Sequence, residues 1–228
     1  RQSTVVDYIY ILPQIEYKSN TYLFDFDGTL VDSMPAYISV MLRILEENNI
    51  RYGNDIIKII TPLGYVGTAK YYVEQLGLGM TQDDLIETMN QYAYNEYAHN
   101  IQAKTNVIET LKKLKEQGAD LYVLTASPHE ALDPCLKRLG IFDIFDNVWS
   151  CNDFATTKAD PEIYRMAAKR IGCEVSDVTF LDDNCGADRT AKEAGMRVIG
   201  VYDDSSAEYV DEMKSICDGY IYDFSELL

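Results

Sequence analysis

The chain has 228 residues, enough for one large domain or one domain carrying an insertion, and its 47% hydrophobic content supports a proper core. A formal net charge of −17 argues against nucleic acid and anionic membranes as partners, since both reward clustered Lys and Arg. No apolar run is long enough to span a bilayer and no signal-peptide pattern opens the chain. The five cysteines are scattered without a Cys-x-x-Cys, and only two histidines accompany them, which speaks against a zinc site and for a reducing, cytoplasmic setting.

Val5 to Leu12 has strand composition and is stopped by Pro13, so it reads either as an added edge strand or as disordered chain. Tyr22 to Phe26 is short, apolar and aromatic, as a buried strand is. Ser33 and Pro35 then mark a helix start, with Ile38, Met41, Leu42 and Leu45 at helical spacing through Glu47. Gly53 to Ile60, Val66 to Leu76 and Asp83 to Ala98 read as three further helices. No strand-like run interrupts this block, and its tyrosines (Tyr71, Tyr72, Tyr92, Tyr94 and Tyr97) read mostly as packing residues. The Leu63-Gly64-Tyr65 turn is expected to face the site.

From Asn106 helix and strand alternate. Val107–Gln117, Glu130–Leu139, Pro161–Ile171, Ala187–Ala194 and Ser205–Ser215 read as helices. Asp120–Leu124, Asn147–Ser150, Val178–Leu181, Arg197–Val201 and Gly219–Tyr222 read as strands. Such alternation predicts an α/β fold, a Rossmann-like parallel sheet with helices on both faces. The expected division is a core of residues 1–32 and 105–228, with an inserted all-helical cap of residues 33–104.

In such sheets ligands bind at the carboxyl ends of the strands. Asp25 and Asp27 stand at one such end, at i and i+2, which in extended backbone places both on one side. Two close carboxylates repel, so one takes up a proton or a cation sits between them. Gly28 frees the backbone and lets a ligand approach the main chain. At other strand ends stand Thr125 with Ser127, whose hydroxyls can donate to a phosphate, and the pair Asp182-Asp183. Four carboxylates together are too costly to leave bare, and a hard divalent cation with oxygen ligands, Mg²⁺, resolves them. Lys158 lies just before a helix.

Asp25-Phe26-Asp27-Gly28-Thr29-Leu30-Val31-Asp32-Ser33 resembles the first motif of the haloacid dehalogenase superfamily, in its phosphatase branch. Thr125 matches the second motif. Lys158-Ala159-Asp160-Pro161-Glu162-Ile163-Tyr164 resembles the third, with Ala159 where proline is usual. Asp182-Asp183 and the following Gly186 to Met196 resemble the fourth. The resemblance implies Asp25 as nucleophile and Asp27 as general acid and base. It implies Thr125, Lys158, Ser127 and the amides near Gly28 as phosphate holders. Mg²⁺ would be bound by Asp25, Asp183 and the main chain of Asp27, with Asp182 in support. Asp188 takes no role. The implied reaction is hydrolysis of a small phosphorylated metabolite, in the manner of phosphoglycolate phosphatases, by a monomer or weak homodimer.

Three other readings compete. The dehalogenase branch has no acid where Asp27 stands. A β-phosphoglucomutase-like mutase carries a His about where this chain has Tyr37. A catalytically silent phosphate-binding module would not need every catalytic position filled.

Overall fold

The computed structural model describes residues 20–228. The expected strand at Val5–Leu12 lies outside the described residues. Six strands form one parallel sheet: β1 (Thr21–Phe24), β2 (Asp120–Thr125), β3 (Asn147–Ser150), β4 (Thr179–Asp182), β5 (Arg197–Val201) and β6 (Gly219–Ile221). Their order across the sheet is β3-β2-β1-β4-β5-β6. Successive connections from β1 therefore run outward to one side and then, after β3, return to pair β4 against the other side of β1. The crevice at this reversal is where doubly wound sheets bind ligands.

Side chains alternate across the sheet, and both faces are apolar, as a sheet covered on both sides requires. Tyr22, Phe24, Leu121, Val123, Leu181 and Ile199 join one buried cluster. Leu23, Leu124, Phe180 and Val198 join the other. Helices α5 (Val107–Glu116) and α6 (His129–Arg138) cover the first face through Leu111, Leu132 and Leu136. Helices α7 (Pro161–Ile171) and α8 (Cys185–Ala194) cover the second through Ile163, Tyr164 and Ala191.

Between β1 and β2 the chain is helical: α1 (Met34–Glu47), α2 (Ile56–Ile60), α3 (Gly64–Glu74) and α4 (Gln82–His99). These helices have their own buried cluster, including Met41, Ile44, Leu45, Ile60, Tyr72, Leu85 and Met89. Tyr37 belongs to this packing. Its hydroxyl donates to the Ile60 carbonyl at 2.8 Å and lies 2.8 Å from the Thr68 hydroxyl. The helical segment leaves and rejoins the sheet at one place. Val31 and Ala103 form an antiparallel bridge, and the Asp32 amide donates to the Gln102 carbonyl at 2.9 Å.

Three expectations differ in detail. The helix expected from Gly53 begins only at Ile56, because Gly53, Asn54 and Asp55 form the preceding turn. The helix expected over Ser205–Ser215 is broken at Ser206, which leaves a 3₁₀ turn before α9 (Val210–Ile216). Ser33 does hold the N-cap position of α1, yet its side chain makes no capping hydrogen bond.

Candidate active site

β1 ends at Phe24, and Asp25 follows with its amide still bonded to the Leu181 carbonyl of β4 at 2.9 Å. The chain then turns. The Phe26 carbonyl receives the amides of Leu30 and Val31 at 2.9 and 3.2 Å. Asp25 and Asp27 remain near enough for the Asp25 charge to bear on the Asp27 carboxyl. The expected four-carboxylate cluster is three and one.

The three are Asp25, Asp182 and Asp183, each buried, with one ligand oxygen apiece lying within 4.8 Å of the others. Asp25 is 6% exposed and Asp182 1% exposed, so little water screens them. Burial, together with the Asp182 charge, pushes the Asp25 carboxyl up to about 6. Burial and the same neighbours raise Asp183 well above the usual carboxylate range. This is a hard-oxygen cradle with surplus negative charge, which fits a divalent cation.

The protein's own compensation is Lys158. Its ammonium donates to Asp25 Oδ1 and, at 3.0 Å, to Asp182 Oδ2. Burial alone would lower this lysine, but Asp182 and Asp25 outweigh it and hold the ammonium charged. The Tyr164 hydroxyl fixes its backbone by donating to the Lys158 carbonyl at 2.9 Å. Asp160 caps α7 immediately after, accepting from the Glu162 amide, with Pro161 in the first turn.

Thr29, fully buried, ties the motif loop to β4. Its hydroxyl stands 2.9 Å from Asp183 Oδ1 and 3.2 Å from Asp25 Oδ2, and it accepts the Asp183 amide at 3.1 Å. Gly28 lies between them with φ +80°, and a Cβ there would collide with Asp183 Oδ2. No larger residue fits this turn without displacing the carboxylate. Lys104 braces the loop from behind, donating to the Gly28 and Tyr202 carbonyls at 2.7 Å each and to Asp203 Oδ1 at 3.0 Å.

Asp27 has different company. Tyr97 Oη donates to Asp27 Oδ1 and Ser127 Oγ to Oδ2, each at 2.5 Å. Burial raises the Asp27 carboxyl, and hydrogen bonds from Ser127, Tyr97 and Ser33 oppose the rise. Thr125 is buried at the end of β2, and its hydroxyl oxygen accepts the Ser127 amide at 3.0 Å, leaving its proton available.

Asp25, Asp182, Asp183 and Lys158 thus come together as one charged group. Asp27 and Ser127 form a second, and Gly28 joins the two. Sequence reasoning misses Tyr97 as a member of the site, and it offers the Thr29 hydroxyl without its partners. Tyr97 continues the buried stripe of Leu85, Met89 and Ala93 on α4, so its spacing reads as packing. Asp188 is fully buried, with Oδ1 unpaired and Oδ2 3.7 Å from Cys217 Sγ.

Beside the Asp27 group opens a cavity of about 330 Å³, lined by Tyr65, Asn90, Tyr94, Tyr97, Ser127 and Asn152 among others. Tyr65 reaches it from the first turn of α3, so the segment expected as a Leu63-Gly64-Tyr65 turn is the start of that helix. No helix among the described residues is long and apolar enough to cross a membrane.

The family model for haloacid dehalogenase-like hydrolases matches residues 22–201. A pyrophosphatase, PpaX, from Bacillus velezensis is 31% identical over 182 residues, which is 78% of this chain and 81% of that protein. A phosphorylated carbohydrates phosphatase from Thermotoga maritima is 24% identical over 180 residues, 78% of this chain and 83% of that one. The crystal structure of a predicted phosphoglycolate phosphatase from Haemophilus somnus superposes with a TM-score of 0.80 at 22% identity, covering 92% of this chain and 96% of that chain. With its six-stranded parallel sheet and buried carboxylates at the strand ends, the chain belongs to the haloacid dehalogenase-like hydrolases, in their phosphatase branch.

Proposed function

We propose that the protein is a Mg²⁺-dependent phosphatase that cleaves a small phosphate monoester through a phosphoryl group carried on Asp25. The observation that supports this best is the separation of Asp25, set against Lys158 and two further carboxylates, from Asp27, held by two neutral hydroxyls. One carboxylate is arranged to stay ionised and the other to trade a proton.

Asp25, Asp183 and the main-chain carbonyl of Asp27 would hold the cation, with Asp182 in support. When bound, Mg²⁺ supplies positive charge to the phosphoryl oxygens and shields them from the nucleophile. An Asp25 oxygen attacks phosphorus, and the bond from phosphorus to the ester oxygen breaks. Asp27 gives its proton to that leaving oxygen. In the second half Asp27 takes a proton from water as the water attacks phosphorus, and the Asp25–phosphorus bond breaks to release phosphate. The Lys158 ammonium, the Thr125 and Ser127 hydroxyls and the amides around Gly28 hold the charge that develops on the phosphoryl oxygens. The helical segment, residues 33–104, acts as a cap on a core of residues 1–32 and 105–228. It carries Tyr97 to Asp27 and excludes water there.

The test is phosphate release from p-nitrophenyl phosphate with Mg²⁺, after EDTA, and after Mg²⁺ is restored. Activity that EDTA removes and Mg²⁺ returns is expected. Full activity in EDTA would remove the cation from the reaction.

A further inference from the structure

We propose that the leaving group this enzyme accepts is uncharged and hydroxyl-rich, a sugar or polyol, and that esters whose leaving group carries a carboxylate or a second phosphate are poor substrates. The inference rests on the phosphatase reading and deepens it.

The position of the cavity carries the first step. Tyr97 and Ser127, the two residues whose hydroxyls hold Asp27, also form its wall. If Asp27 protonates the leaving oxygen, the rest of the leaving group extends into this cavity. Its volume of about 330 Å³ lies at the small end of the range for small-molecule sites, roughly 300–1,000 Å³. A metabolite-sized alcohol fits, and a macromolecular one does not.

The chemistry of the wall carries the second. No Lys, Arg or His is among the described residues that line it. The Arg138 guanidinium donates through one Nη to the carbonyls of Tyr97 and Ile101. Two of the wall residues have acids as their charged neighbours. Tyr94 feels the Glu130 carboxylate, and Tyr65 feels Asp27. An anionic leaving group would be desolvated here with no cation to meet it, which is costly. A cation held by Asp25 and Asp183 would offer no remedy, because it would serve the phosphoryl end.

What the wall does offer is aromatic and amide surface. Tyr65, Tyr94 and Tyr97 present ring faces and edges suited to the C–H surfaces of a sugar. Asn90 and Asn152 each bring two donors and an acceptor, the complement of a vicinal diol. Burial holds the Tyr65 phenol in its neutral, donating form.

The experiment compares kcat/KM, with Mg²⁺ saturating, across three kinds of substrate. Hexose and polyol phosphates have neutral leaving groups. 2-Phosphoglycolate and pyrophosphate have anionic ones. p-Nitrophenyl phosphate needs little help from the cavity and reports the phosphoryl chemistry alone. The best neutral ester should exceed both anionic substrates by about tenfold or more. An anionic substrate that equals or beats every neutral ester, with p-nitrophenyl phosphate turned over, overturns the inference and leaves the phosphatase reading intact. Failure on p-nitrophenyl phosphate as well sinks both. A variant supplies the converse. Asn90→Lys places a cation in the wall and should shift the ratio of 2-phosphoglycolate to hexose phosphate turnover about tenfold toward the anion, mainly through KM. An unchanged ratio in a folded Asn90→Lys protein also overturns the proposal.

Discussion

Two carboxylates two residues apart sit in opposite surroundings. Asp25 faces an ammonium and two further acids, whereas Asp27 faces a phenol and an alcohol. Burial raises both, so burial does not distinguish them. The difference lies in what answers the charge. Around Asp25 the answer is charge, from Lys158 and the divalent cation the cradle fits. Around Asp27 it is hydrogen bonds that leave the group able to change protonation state. Residue type fixes neither role, and the turn after Phe24 assigns each acid to its neighbours.

The sharpest way to break this contrast is substitution of each acid. Asp25→Asn should lower kcat by about three orders of magnitude or more on every ester, with no burst of p-nitrophenol. Asp27→Asn should lose about 10²–10⁴-fold on alkyl esters, yet still release a burst of p-nitrophenol, because that leaving group needs no proton. Rapid-mixing absorbance separates the two. A burst from the Asp25 variant would move the nucleophile elsewhere. Tyr97→Phe removes one of the two hydroxyls that hold Asp27, and it should cost about tenfold on alkyl esters and less on the nitrophenyl ester. Equal losses on both would make Tyr97 a packing residue only.

Protein free of divalent cation sharpens the comparison by titration. The Asp25 carboxyl is about 6 when folded against 3.8 ordinarily, so the unfolded chain ionises first. This group's contribution to stability is full below pH 3.8 and is lost as pH rises through about 6. The loss from this group is on the order of 3 kcal/mol at most. Asp25→Asn should flatten that fall in a urea titration, and Mg²⁺ should raise Tm more at pH 7.5 than at pH 4.5.

The smallest effect is expected at His129, which follows the Ser127 loop. Its ring nitrogens lie 2.9 Å from Asp133 and 2.7 Å from Asp153. The Asp133 hydrogen bond leads the causes that raise its pKa above 6.5. The pairing is complete below pH 6.5 and is lost as pH rises through the folded value. The imidazole is well exposed, so His129→Gln should lower Tm by only about 1–2 °C at pH 6, and by less at pH 8.

Much of this was legible in the sequence, for physical reasons. Strands buried on both faces are short apolar runs, and the helices between them have capping residues and apolar stripes, so the alternation after Asn106 reads directly. The charged half of the site was legible too, because acids and a lysine at strand ends contradict their apolar surroundings. Tyr97 was not. It lies 70 residues from Asp27, and a tyrosine on a buried helical stripe looks the same whether its hydroxyl meets a carboxylate or a carbonyl. Thr29 was hidden similarly, since only the fold brings Asp183 to its hydroxyl. The break at Ser206 and the late start of α2 depend on local turns that periodicity does not register.

The bridge between Val31 and Ala103 bears on how such a chain can be altered over generations or at the bench. The excursion that begins at Ser33 returns to within a hydrogen bond of its origin, since the Asp32 amide meets the Gln102 carbonyl. Once those ends are stapled, the entropy of closing the excursion varies only slowly with its length. The segment between them can therefore be lengthened, shortened or exchanged with little strain on the sheet. Grafting another excursion onto the same two residues would change which molecules reach Asp27 while Asp25 and its acids stay where β1 and β4 put them.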